Sequence, residues 1–221
     1  MVLTDDVARF VRAAGPDHDG IQAEMAAYAE EHGFPIIGPD AGGVLRLVAR
    51  LTDARRIFEF GSGFGYSAYW FLQGMHTESE IVLTEVDADE LDMAREFFER
   101  AGIADRAEFR RGDAMEIVDE YDGPFDVVLM DHQKARYADG FRRVREKVRP
   151  GGVVAVDNIM RGPVEFDSLL AYLEGGPEPE DGSTAGVAEF LDTVDADPAF
   201  ETTVLPVGSG VSLSVKVPDR W

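Results

Sequence analysis

Apolar positions along the chain follow two alternating rhythms. Five short runs, RIFEF (56–60), IVLTEV (81–86), AEFRRGD (107–113), DVVLMD (126–131) and VVAVDN (153–158), are apolar or β-branched and read as strands. Between them the apolar residues recur every three or four positions, which marks helices: Leu91, Ala94, Phe97 and Phe98 within 87–101, and Phe141, Val144 and Val148 within 134–148. Stretches 4–14, 19–32 and 40–51 read as extra N-terminal helices, and one more helix is predicted near 184–194. The last two strands, ETTVLPV (201–207) and VSLSVKV (211–217), are separated only by Gly208-Ser209-Gly210 and read as a hairpin, so one strand must run against the others. Strand alternating with helix predicts an α/β fold: a mainly parallel seven-stranded sheet with helices on both faces and an antiparallel hairpin at its end.

Length and composition place this pattern in one domain spanning 1–221, with helices over 1–35, a core over 36–161 and the hairpin over 201–217. The stretch EGGPEPEDGSTAG (174–186) is rich in Gly, Pro and acid and reads as a mobile acidic loop. No apolar run approaches the roughly 20 residues that span a bilayer, and the acidic N-terminus does not read as a signal peptide, so a cytoplasmic protein is expected. The absence of cysteine excludes disulfides, thiolate catalysis and zinc–thiolate sites. Net charge is −22, from 43 acidic against 21 basic residues, and only three of the basic residues are lysine. That balance suits a halophilic protein from a high-salt cytoplasm, where a Debye length of about 3 Å at 1 M salt screens self-repulsion. No basic patch invites nucleic acid.

The candidate chemistry lies at the strand ends. Glu59, Glu85, Asp113, Asp131 and Asp157 stand at or beside the ends of the five central strands, and open α/β sheets bind ligands there. Any one of these acids could instead cap a helix, Asp113 in particular. The first strand runs into Gly61-Ser62-Gly63-Phe64-Gly65, a turn that lets backbone approach a ligand, although G-x-G-x-G is not the spacing of dinucleotide binders. Glu85, at the end of the next strand, can accept from both ribose hydroxyls. No Lys or Arg lies between Gly61 and Glu85 to neutralise a pyrophosphate. A cationic nucleoside such as S-adenosylmethionine (SAM) suits this acidic pocket better than a diphosphate.

Taken together, FEFGSGFGYSA, TEVDADELDMAREFFERAG, RGDAMEIV, MDHQKARY and VAVDNIMRG resemble the metal-dependent class I O-methyltransferases, the group of the catechol and caffeoyl-CoA enzymes. The resemblance is good over 36–161, weaker through the hairpin and generic over 1–35. It implies a Rossmann-like SAM-binding fold. Glu85 would hold the ribose, with Glu59, Gly61, Gly63, Gly65, Tyr66 and Ser67 around the methionine end. Asp113, Ala114, Asp131 and His132 would complete the cofactor contacts. It further implies a divalent cation on Asp131, Asp157 and Asn158. These are hard oxygen ligands suited to Mg²⁺, with Mn²⁺ or Ca²⁺ as alternatives, although Asp157-Asn158 alone also reads as a turn. A homodimer is expected on the resemblance alone.

Lys134 then acquires a reason to be lysine. The resemblance implies a small hydroxylated acceptor, a catechol or similar vicinal dihydroxy aromatic. A phenol titrates near 10 and must lose its proton before it attacks a methyl group. A lysine whose pKa is lowered by burial or a neighbouring cation can take that proton, whereas an arginine cannot. On the acceptor side the resemblance weakens: the hairpin carries Gly208-Ser209-Gly210 where relatives often have G-D-G, and Ser212 stands nearest to the glutamate of the catechol enzyme. The alternatives are a tRNA hydroxyuridine methyltransferase and a non-catalytic SAM-binding protein. A nicotinamide oxidoreductase would need neither Lys134 nor the D-N pair.

Overall fold

The computed structural model describes residues 4–218; the ends of the 1–221 domain lie outside the described residues. In chain order the elements are α1 (Asp5–Ala14), α2 (Gly20–His32), α3 (Gly38–Leu51), β1 (Arg56–Phe60), α4 (Tyr66–Gly74), β2 (Glu80–Glu85), α5 (Ala88–Ala101), β3 (Ala107–Arg111), α6 (Ala114–Ile117), β4 (Phe125–Met130), α7 (Tyr137–Val144), β5 (Val148–Val156), α8 (Phe166–Leu173), α9 (Gly182–Asp195), β6 (Phe200–Leu205) and β7 (Val211–Lys216). Several helices start where an acid satisfies free amides: Asp19 caps α2 in a reciprocal capping box with Gln22, Asp87 caps α5, Asp113 caps α6 and Asp181 caps α9.

The seven strands form one sheet in the order β3-β2-β1-β4-β5-β7-β6. The first five are parallel, and β7 runs antiparallel to both neighbours. This is the mainly parallel seven-stranded sheet that the alternation predicts. Two apolar clusters cover its faces, one built on α2 to α5 with Trp70 and Phe98 at its centre, the other on α6 to α9 with Tyr137, Phe141 and Phe190. The chain leaves β1 toward β2 and β3, then returns to the other side of β1 as β4. Between β1 and β4 lies the point where strand order reverses, and the crevice over the carboxyl ends opens there. Among the described residues no helix is long and apolar enough to cross a membrane.

Four details differ from the pattern reading. The helix expected over 134–148 is a 3-10 turn, Lys134–Arg136, followed by α7, and it stops at Val144. Val148 joins β5 instead and pairs with Phe125, because burying it on the sheet outweighs its helical spacing. The loop expected over 174–186 ends at Asp181, and its last five residues are the first turn of α9. Gly186 is helical because that turn packs on the chain at Lys134: a Cβ there would lie 2.4 Å from the Lys134 carbonyl oxygen and the Ala135 Cα. Helix α8 is an addition to the pattern reading, and Phe166, Leu169, Leu170 and Leu173 carry its helical spacing.

Candidate active site

The carboxyl ends of β1, β2, β4 and β5, together with the start of α6, surround one cavity of about 550 Å³. Backbone bonds step the strand ends past one another: Asp131 N donates to Phe60 O at 3.0 Å, and Asp157 N to Met130 O at 3.2 Å. The turn after β1 lies on the β4 end. Gly61 has φ of +74°, and a Cβ there would stand 2.8 Å from the Asp131 carbonyl oxygen, so only glycine fits this crossing. Gly61, Gly63, Tyr66, Ser67, Glu85, Asp113, Ala114, Asp131, His132, Lys134, Asp157 and Asn158 all line the cavity, so every expected site residue except Glu59 and Gly65 meets here.

Glu85 is set by three amides. Its Oε2 accepts from Gly63 N at 3.0 Å, and Oε1 from Val86 N at 2.7 Å and Asp87 N at 3.1 Å. A carboxylate oxygen has a further lone pair to offer a ligand hydroxyl. For Asp113 the cap reading and the site reading both hold: it caps α6 through Met115 N while facing the cavity, and it also accepts from Arg136 at 2.8 Å.

At the other end stand Asp131, Asp157 and Lys134. Lys134 Nζ donates to Asp131 Oδ1 at 2.7 Å, is only 10% exposed and lies 5.3 Å from the centre of the Tyr137 ring. Tyr137 Oη donates to the Asp157 carbonyl oxygen at 3.1 Å. Asp157 is 3% exposed, and its Oδ1 has no hydrogen-bond partner. Burial, then the Asp131 charge, pushes its carboxyl up to about 7. Burial raises Asp131 as well, against the opposing pull of Lys134. Two neighbouring carboxylates that resist joint ionisation, Asp157 buried with an orphan oxygen and Asp131 half-buried, fit a divalent cation with Asn158 as third donor. Asn158 holds φ at +57° in the turn after β5, so the turn reading and the ligand reading coexist. Among the described residues no three His, Cys, Asp or Glu side chains gather as a metal cluster; the candidate set is two carboxylates and one amide.

This architecture has relatives. The family model described as O-methyltransferase matches residues 22–217. The chain belongs to the O-methyltransferase family. It is 29% identical over 197 residues to a catechol O-methyltransferase of Niastella koreensis, covering 86% of this chain and 85% of that protein. Over 205 residues it is 26% identical to caffeoyl-CoA O-methyltransferase 1 of Eucalyptus globulus, covering 88% and 80%. Among solved structures, the O-methyltransferase from Bacillus cereus in complex with SAH superposes with a TM-score of 0.82 at 26% identity, covering 96% of this chain and 97% of that one. TomG from Streptomyces achromogenes, in complex with SAM, gives 0.83 at 26% identity over 96% of each chain. The protein is a SAM-dependent O-methyltransferase.

Two residues expected at the cofactor stand behind the wall of this O-methyltransferase rather than in it. Glu59 is wholly buried, accepts from the Ser67 hydroxyl and is pushed up to about 8 by burial. Glu59 alternates with Phe58 and Phe60 along β1, so its side chain points to the opposite face and into the helix layer at Ser67 of α4. Gly65, with φ of +85°, starts α4 and faces Phe98 and Ala94, so its role is packing. On the acceptor side, Ser212 is buried within the sheet opposite Val156, and Ser209 in the hairpin turn lines the cavity instead. The wall also includes Glu90, Arg136 and the segment Phe34 to Ile37. Arg136 was visible within MDHQKARY; Phe34 to Ile37 carries no signal beyond ordinary apolar character.

Proposed function

We propose that this O-methyltransferase moves the methyl group of SAM to a hydroxyl of a vicinal dihydroxy aromatic, in the presence of a divalent cation. The observation that carries the reading is the pairing of two carboxylates, half-buried Asp131 and buried Asp157, with the lysine of D-x-x-K inside the same cavity as Glu85. Glu85 accepts from the ribose hydroxyls, and Tyr66 and Ser67, at the start of α4, close the methionine end. Acidic walls suit the sulfonium and ammonium charges. Asp131, Asp157 and Asn158 would hold the cation, Mg²⁺ before Mn²⁺ or Ca²⁺. When bound, it acts as a Lewis acid that makes an acceptor hydroxyl more acidic.

Lys134 is the base whose Nζ takes the hydroxyl proton. The acceptor oxygen then bonds to the methyl carbon, the carbon–sulfur bond breaks, and its electron pair stays on sulfur to give S-adenosylhomocysteine (SAH). Asp131 stands between the two tasks, since the carboxylate that accepts from Nζ is also a proposed cation ligand. The catechol enzyme among the relatives supports this acceptor class. The test is methyl transfer from labelled SAM to a panel of catechols, with Mg²⁺ and with chelator, beside a hydroxyuridine-containing tRNA. Chelator-sensitive labelling of catechols is expected. Labelling that persists after exhaustive chelation removes the cation from the mechanism, and labelling of the tRNA alone replaces the acceptor.

A further inference from the structure

The turn between α1 and α2 makes three side-chain bonds to α4, from two adjacent residues. Asp19 accepts from Tyr69 Oη at 2.9 Å and from Gln73 at 3.1 Å, neither of which lines the cavity. Its neighbour His18 is different. His18 Nε2 lies 2.6 Å from Tyr66 Oη, and its ring packs edge-on to Tyr66 and tilted against Trp70, with centroids 5.9 and 5.8 Å apart. Tyr66 is 3% exposed and forms part of the cavity wall, directly after the glycine turn. The bond from Asp19 ends in the scaffold, whereas the bond from His18 ends in the binding site.

We infer that His18 is a positioning residue for the cofactor: its bond to the Tyr66 hydroxyl fixes the phenol ring as the wall at the methionine end and couples the N-terminal turn to cofactor occupancy. This rests on the placement of SAM proposed above. Burial lowers His18 below the ordinary imidazole range against the pull of Asp19 and Asp17, and burial raises Tyr66. A neutral ring accepting from an intact phenol is the arrangement those directions favour. A tyrosine ring has few torsions, so one bond at its far end sets the tilt of the whole plane. The turn itself is seated independently, because Pro16 packs against Gly43, where a Cβ would be 3.0 Å away. Losing His18 therefore frees Tyr66 before it frees the turn.

The test is calorimetric binding of SAH to the full chain as wild type, His18→Ala, Tyr66→Phe and the double variant, with steady-state kinetics alongside. Each single change should weaken SAH by roughly 3–10-fold, the worth of one net hydrogen bond. The double variant should be no weaker than the weaker single one. KM for SAM should rise while KM for the acceptor holds, and His18→Gln should recover most of the loss. Unchanged affinity in His18→Ala, or losses that multiply in the double variant, overturns the inference and leaves the cofactor site standing. Tyr66→Phe keeps the ring and tests the same bond if His18→Ala folds poorly. If the wild type itself binds no SAH, the placement of the cofactor fails, and this inference fails with it.

Discussion

Replacing Asp157 by Asn removes one buried charge at nearly constant volume, and the structure sets both the sign and the size of the effect. The Asp157 carboxyl is carried from 3.8 to about 7, first by burial and then by Asp131. A carboxyl whose pKa is higher folded than unfolded costs nothing below its unfolded value. Above that value the unfolded chain ionises and the folded one resists, so stability falls as pH rises from about 4 to about 7. At about 1.36 kcal/mol per pH unit the full span is worth about 4 kcal/mol. Because Asp131 shares the titration, a difference of about 2–4 kcal/mol is expected for the pair. The assay is urea unfolding in chelator and constant high salt, at pH 5 and pH 8, for wild type and Asp157→Asn. About two of the three units lie above pH 5, so the variant should gain about 1–3 kcal/mol on the wild type between the two pH values. Any fixed cost of burying the amide, the titration of Glu59 and the repulsion of the acidic surface appear in both proteins or at both pH values, and largely cancel. Millimolar Mg²⁺ at pH 8 should stabilise the wild type and leave the variant where it was. A gap between the two proteins that is the same at pH 5 and pH 8 would refute the reasoning.

Lys134→Arg keeps the charge beside Asp131 and removes a group able to accept a proton, so single-turnover transfer should fall by about 10²–10⁴-fold at neutral pH and partly recover at high pH; equal rates would remove Lys134 as the base. Gly186→Ala forces a methyl against the backbone at Lys134 and Ala135 and should cost about 1–3 kcal/mol in urea unfolding, with a drop in activity; an unaltered midpoint would mean the packing gives way freely. The net charge of −22 should make far-UV circular dichroism fade below roughly 0.5 M salt, where screening weakens; a full signal in dilute buffer would sever the acidity from salt adaptation.

The strands were legible because a buried parallel strand is nearly all apolar, and VVLM between Asp126 and Asp131 has no other reading. Helix α5 was legible from both ends, with Asp87 as its cap and Gly102 closing it in the left-handed region. What failed was decided by distant partners. Composition marks 182–186 as loop, yet Gly186 is small because α9 presses there on the turn that carries Lys134. Strand position alone made Glu59 look like its neighbours at the strand ends, though it points into the helix layer and bonds Ser67. Ser209 and Ser212 are equally plausible in sequence; only the register of β7 on β5 buries one and delivers the other. The bond from His18 to Tyr66 spans 48 positions, and nothing local announces it.

The antiparallel course of β7 brings the turn at 208–210 to the same edge of the sheet as the ends of β1, β4 and β5. Ile159 N and Met160 N tie it there through Gly210 O and Ser209 O, at 3.0 and 2.9 Å. The groups proposed to grip the cofactor come from strands near the middle of the chain, while Ser209 arrives from a hairpin almost at its end. Substrate choice can therefore drift by editing one short turn, without touching the segments that read the methyl donor. A lineage can retool such an enzyme for new acceptors as one changes the bit of a drill, and grafting turns from other family members onto this hairpin is the natural way to do it deliberately.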